Sequence, residues 1–348
     1  MIDLIKKILR RKGISISRLK FTPGSIDELK TFAVFVDSKG NKYDLLKGYR
    51  DLIKPGWQNM FKIELRNPEV NYFVKKSALK KIKLVLKYLR IYNISLKEAN
   101  ILEIGCYGGA DTYALASLGA RNIDAIDMPE YGVRQNFNKK ENNIQHINEQ
   151  SGFLKKLRKA TAKLFSADFN INKKVNFFDQ DITYFNQENN YDLIISWETL
   201  EHITNPEVAL KNMFKALKPG GICFHEYNPF FSINGGHSLC TLDFPYGHVR
   251  LLPMDFESYI RTYRPKELSV ALNFYYKCLN RMTMSELVQY SKEAGFELLD
   301  IQCWKNKDDM VTIDEIIVSQ CKDIYPSLTI NDLLSKIVWV LLKKPGKK

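Results

Sequence analysis

Apolar and polar positions follow two rhythms along this chain, and the change of rhythm marks its organisation. From residue 100 onward short apolar runs at 101–105, 122–127, 175–178, 191–196 and 222–227 alternate with segments of helical period. Unbroken apolar runs of this length suit strands covered on both faces, so the pattern predicts a parallel, doubly wound α/β sheet. Residues 111–118 read as the first crossover helix. Asn205 followed by Pro206 opens another, with a capping side chain and proline in the first turn. The sequence Leu-Lys-Pro-Gly-Gly at 217–221 stops that helix. Thr283 with Glu286 forms a capping-box pattern for a helix over 283–294 that ends at Gly295. Two late strands, 297–304 and 311–319, are expected to pair as a hairpin.

Outside that region the rhythm differs. Residues 31–46 alternate apolar and polar around Asp37-Ser38-Lys39-Gly40-Asn41, which predicts a β-hairpin. Residues 77–92 form an amphipathic helix that docks on the sheet, and 1–20 read as a short basic amphipathic helix. The expected division is an accessory segment over 1–95, a main domain over 96–322 with a covering insertion at about 229–282, and a basic, apolar helix over 323–348. The connection 128–174 is unusually long and contains a basic helical stretch near 152–165, so it is read as part of a lid or substrate wall.

Composition narrows the class. With 348 residues and 45% hydrophobic content the chain is a folded globular protein, and no apolar run is long enough to span a membrane. The start lacks a secretory leader pattern, so a cytoplasmic location is expected. The six cysteines are scattered without CxxC pairs, which favours buried thiols over disulfides or a zinc site. A net charge of +13 raises the question of nucleic acid. The lysines are spread along the chain without a basic-aromatic array, so a solvated surface is preferred, and no nucleic-acid partner is expected. The basic amino terminus and the segment 330–348, with Trp339 between lysines, are compatible with peripheral contact at an anionic membrane face.

The chemistry begins at Glu103-Ile104-Gly105-Cys106-Tyr107-Gly108-Gly109, an apolar strand carrying one acid that breaks into glycines before a helix. Such a turn lets a ligand approach the backbone and aims helix N–H groups at it. Asp127 closes the second strand 24 residues after Glu103, near the spacing of roughly 20 at which an acid reaches a ribose. Together with Asp181-Ile182, the run 191–196 followed by Trp197-Glu198-Thr199-Leu200-Glu201-His202, and the LKPGG turn, these motifs resemble the class I S-adenosylmethionine-dependent methyltransferases, in the branch like ubiquinone-biosynthesis enzymes. The resemblance spans about residues 100–320. It implies a Rossmann-like seven-stranded sheet whose last strand is antiparallel, S-adenosyl-L-methionine as cofactor, and a cofactor site made by Glu103, Gly105, Tyr107, Gly109, Asp127, Asp181, Ile182, Ser196, Glu201 and His202. It departs from the family at Tyr107, where glycine is usual.

Methyl transfer from a sulfonium is an in-line displacement, and a hydroxyl acceptor needs a base. The polar stretch 225–250, from the end of the fifth strand onward, holds three of the five histidines. His237 and His248 are the expected base or substrate-orienting groups, and Arg250 is an expected anion clamp. No metal is expected, since His237, Asp243 and His248 fit no ligand spacing. The reading is an O-methyltransferase for a small-molecule or sugar and glycan hydroxyl, such as one in surface polysaccharide or lipid-linked glycan biosynthesis. An RNA-modifying methyltransferase and a non-catalytic cofactor-binding protein are the alternatives.

Overall fold

A computed structural model describes residues 26–57, 72–128, 143–165, 175–235, 237–305 and 313–346. The basic stretch 1–20 lies outside them. The alternating segment near the amino terminus forms the antiparallel pair β1 (Thr31–Val36) and β2 (Lys42–Leu46), as expected. A short helix α1 (Tyr49–Ile53) follows. Helix α2 (Tyr72–Ile91) begins five residues before the expected start at residue 77 and buries Ala78, Ile82, Val85 and Leu89, one stripe at helical spacing.

The main sheet has seven strands: β3 (Asn100–Ile104), β4 (Asn122–Asp127), β5 (Val175–Asp179), β6 (Tyr191–Trp197), β7 (Leu217–Tyr227), β8 (Glu297–Trp304) and β9 (Ile337–Lys343), in the order β5-β4-β3-β6-β7-β9-β8. The five strands β3 to β7 are parallel. Strand β9 runs antiparallel to both β7 and β8. Helices α2 and α3 (Ala110–Ser117) cover one face, where Ile101, Ile123, Leu193 and Phe224 meet Leu89 and Leu115. The helix α4 (Asn143–Phe165) crosses between β4 and β5. The opposite face carries α5 (Pro206–Ala216), which is capped by Asn205 accepting from the Val208 N–H at 3.1 Å. It also carries α7 (Met284–Ala294), with the expected capping box and left-handed Gly295.

The final third of the chain differs from expectation. Residues 315–319, read as the second arm of a hairpin, belong to helix α8 (Glu315–Ile324); Asp314 caps it and accepts from the Ile317 N–H at 2.7 Å. The β-branched run hid a helical repeat in which Ile317 and Cys321 face inward. The segment read as a terminal helix contains only the short α9 (Ile330–Leu334) and then β9, which lies inside the sheet. Its run Ile-Val-Trp-Val-Leu-Leu is apolar because both faces are covered, not because it meets lipid. Trp339 accordingly donates to Glu226 at 2.6 Å and packs against Trp304 and Phe224. The LKPGG segment extends β7 instead of preceding it: the Gly220 N–H donates to the Lys344 carbonyl, and the Lys344 N–H to Gly221. Among the described residues no helix is long and apolar enough to cross a membrane.

The accessory segment is also not separate. Phe35, Tyr43 and Leu45 of the hairpin share a core with Phe230, Phe244 and Tyr246 of the insertion, with Phe256 and Tyr259 of α6 (Pro253–Tyr263), and with Ile317 and Cys321 of α8. This second core stands beyond the carboxyl ends of β6 and β7. All six cysteines are unpaired, and five are buried.

Candidate functional site

The carboxyl ends of β3, β4 and β6 converge on the glycine turn. Gly105 takes a φ of 76°, Tyr107 a φ of 40° and Gly109 a φ of 75°. The Gly105 N–H donates to the Ile126 carbonyl at 2.9 Å, which fastens the turn to β4. Gly105 is required by contact as well as by angle, since a Cβ there would lie 2.1 Å from the Thr199 hydroxyl oxygen. Tyr107 takes a left-handed backbone that glycine adopts more readily, with its ring about half exposed.

That angle sends the Tyr107 N–H to Asp127 Oδ2 at 2.6 Å, while the Met128 N–H reaches Oδ1 at 2.8 Å. Burial raises the Asp127 carboxyl above its ordinary value, and these two donors oppose the shift. Each oxygen retains capacity for a further donor, as a pair of vicinal hydroxyls would supply. Asp181 lies past the end of β5 and caps a single 3₁₀ turn over Ile182–Tyr184, accepting from the Thr183 N–H at 2.8 Å. Asn212 of α5 holds the Ile182 and Thr183 carbonyls at 3.0 and 2.8 Å.

Three expected cofactor contacts point elsewhere. The Ile182 side chain packs into the core against α5. Ser196 is fully buried, its hydroxyl paired with His225 Nδ1 at 2.8 Å across the β6–β7 register. Glu103 is buried against the Thr112 hydroxyl; burial, then Asp111, push its carboxyl up, so it ties β3 to α3. Beside it, Lys81 of α2 pairs with Asp111 at 3.2 Å under the Trp197 ring, a contact between segments that spacing along the chain did not reveal.

The opposite lip follows β6. Glu201 is buried and accepts at Oε1 from the Asn228 N–H at 3.1 Å and its side-chain amide at 3.3 Å. Burial pushes its carboxyl up to about 8, so it is largely neutral near pH 7. The turn carrying it is clipped by Asn280, whose amide donates to the Leu200 and Ile203 carbonyls at 2.6 and 2.9 Å. His202 Nδ1 lies 2.7 Å from the Cys278 carbonyl, which can only accept, so Nδ1 carries the proton and Nε2 is the accepting nitrogen. Burial lowers its basicity to about 4 and keeps the ring neutral.

The expected bases sit differently. His237 stacks on Phe274 at 4.0 Å, and its Nδ1 accepts from the Leu239 N–H at 3.3 Å. That bond puts the ring proton on Nε2, so His237 offers a donor and not a base. Burial lowers it to about 3, helped by repulsion between its protonated form and its neighbours His202 and Lys54. His248 is fully buried, donates from Nε2 to the Phe230 carbonyl at 2.8 Å, and meets the Phe230 ring edge-on. Arg250 binds Gln320 at 2.8 Å and the Pro245 carbonyl at 2.9 Å and lies 4.8 Å over the Tyr43 ring. Both are fastenings of the second core. The base and clamp roles are corrected for these residues, because polar density beyond β7 was being spent on a buried loop. Residues missed from the sequence are Arg158, whose guanidinium reaches the Tyr107 carbonyl, and Asn280. Both act from remote insertions; the basic stretch 152–165 pointed to the segment that carries Arg158, but nothing local marks either residue itself.

Residues 73–301 match the model of a methyltransferase-domain family. A ubiquinone biosynthesis O-methyltransferase of Coxiella burnetii is 28% identical over 219 residues, 62% of this chain and 70% of that protein. The mitochondrial enzyme of the same description from Dictyostelium discoideum is 28% identical over 156 residues, covering 41% and 42%. Among solved structures, an S-adenosylmethionine-dependent methyltransferase from Mesorhizobium loti overlays 74% of this chain and 96% of its own at 11% identity, with a TM-score of 0.40.

Proposed function

Because the chain belongs to the class I S-adenosylmethionine-dependent methyltransferases, we propose that it transfers the methyl group to a hydroxyl of a small-molecule acceptor. S-adenosyl-L-methionine is its cofactor. The turn fits that group: Asp127 presents a half-buried carboxylate at the lip beside a backbone too close-packed at Gly105 for any side chain. In this reading Asp127 takes the ribose hydroxyls, and Gly105 and Gly109 let the backbone approach. Asp181 stands at the adenine end, and Glu201 and His202 close the acceptor side. The cofactor, when bound, supplies an electrophilic methyl on a sulfonium.

The observation that carries the hydroxyl assignment is His202, whose Nδ1–H is committed to the Cys278 carbonyl. Nε2 is therefore the ring's accepting nitrogen, the one that can take a proton. An alcohol oxygen becomes strongly acidic as its bond to the methyl forms, so a neutral imidazole of low basicity suffices. Neutral Glu201, held by Asn228, supports the adjacent turn without adding charge. Enzymes of oxygen methylation among the relatives support the same reading. The experiment is transfer of labelled methyl from the cofactor into a cell extract, followed by fractionation. Alkali-stable label in small aromatic hydroxyls, or in sugar, nucleotide-sugar or lipid-linked glycan hydroxyls, supports it and separates those classes. Label confined to RNA or protein, or none despite cofactor binding and a full extract, sinks it.

A further inference from the structure

Tyr107 is pinned at both ends of its own residue. Its N–H reaches Asp127, and its carbonyl accepts from Arg158 Nε at 3.0 Å. Arg158 belongs to α4, the helix of the long connection between β4 and β5, and is only 8% exposed. Its guanidinium lies 4.5 Å over the Phe177 ring and 3.6 Å from Cys106 Sγ. Phe177 in turn abuts Gly109, where a Cβ would meet its ring at 2.7 Å, and the neighbouring Leu157 fills the space a Gly108 Cβ would occupy, at 2.8 Å. One turn of α4 therefore touches the glycine turn at Cys106, Tyr107 and Gly108, and at Gly109 through Phe177.

We propose that Arg158 is a positioning residue for the cofactor turn, holding Tyr107 in its left-handed conformation so that the Tyr107 N–H stays aimed at Asp127. A side chain with a Cβ occupies that region only where its surroundings over-determine it. The carbonyl bond to Arg158 is the external restraint. Without it Tyr107 relaxes to negative φ, its N–H swings off Asp127, and the carboxylate loses the orientation that two hydroxyls require. A glycine at 107 would need no such restraint, so the substitution away from glycine and the arginine in the insertion form a matched pair. The inference rests on the cofactor reading above and makes order in the connecting helix and cofactor affinity one linked equilibrium.

The test is a double-mutant cycle read by calorimetric binding of S-adenosylhomocysteine, with melting temperature as the folding control. Arg158→Ala is expected to weaken binding by about tenfold or more, and Tyr107→Gly alone to change it by less than about threefold. In the Tyr107→Gly background, Arg158→Ala is expected to cost less than about threefold. Arg158→Ala binding within about twofold of wild type overturns the proposal. So does an equal loss in both backgrounds, which would assign Arg158 a direct ligand contact or general support. If Arg158→Ala does not fold, Arg158→Lys enters the same cycle under the same criteria. A wild-type protein that binds no S-adenosylhomocysteine overturns the cofactor reading itself, whereas wild-type binding indifferent to Arg158 overturns this proposal alone.

Discussion

Asp127 and His202 carry roles of different kinds, and single substitutions separate them. Asp127→Ala removes a half-buried acceptor of charge-assisted hydrogen bonds. It should weaken cofactor binding by ~1 to 3 kcal/mol. Calorimetry checks this, and an unchanged affinity removes the ribose role. His202→Gln keeps a polar side chain but not the proton-accepting nitrogen, so turnover should fall by about 10²-fold with cofactor affinity held. Steady-state rates beside binding data decide the matter; equal losses in both would make His202 a support and not a base. His248→Ala is the contrasting case. Losing the ring and its bond to the Phe230 carbonyl should destabilise the fold by about 2 to 4 kcal/mol and leave turnover per folded molecule unchanged. At this scale the sequence was readable where a residue's role is set by its neighbours in the chain. Gly105, Tyr107 and Asp127 stand where a strand end, a turn and a strand end should put them. His237 and His248 were misread because residue type tells nothing of tautomer or of which way a loop faces.

At the scale of elements, strands β3 to β6 and the apolar part of β7 were legible, since each is a short apolar run closed by glycine, an acid or a capped helix. The hairpin β1–β2 and the capped helices α5 and α7 announced themselves by turn and cap residues. Strand β9 did not, because a strand inserted between two others is apolar on both faces and lacks the alternation that would distinguish it from a buried helix. Its placement makes a firm prediction. Val340 is 1% exposed and stands opposite His225 on β7 and Ile301 on β8. Val340→Pro removes a ladder donor and core volume together and should cost about 3 kcal/mol or more, read as a lowered urea midpoint or loss of folded protein. A variant of wild-type stability would mean that β9 does not bind the two halves of the sheet.

For the whole molecule, buried ionisable groups shape the response to pH. Burial raises Glu201 from about 4.5 to about 8 and also raises Glu103. Their contribution is full below pH 4.5 and is lost as pH climbs to about 8, because the unfolded chain ionises first. Burial lowers His202 and His248 from 6.5 to about 4, and His225 and His237 to about 3. Their contribution is full above pH 6.5 and is lost as pH falls through about 4. The four histidines oppose the raised carboxyls of Glu201, Glu103, Glu226, Asp111 and Asp127 below pH 6.5 and fall silent above it, so stability of the ligand-free protein should decline from pH 6.5 to pH 8. Urea midpoints at pH 6.5 and 8 test this, and Glu201→Gln should flatten the alkaline limb; a steady rise to pH 8 contradicts it. The interior position of β9 has another effect, on biosynthesis. Strands β7 and β8 leave the ribosome before the strand that joins them has been made. Until residue 343 emerges, each holds out a row of unpaired amides and carbonyls to any passing strand. The nascent protein is therefore most vulnerable to mispairing in the interval before β9 is made, and conditions that stall synthesis between residues 305 and 336 should raise aggregation more than a stall before residue 217.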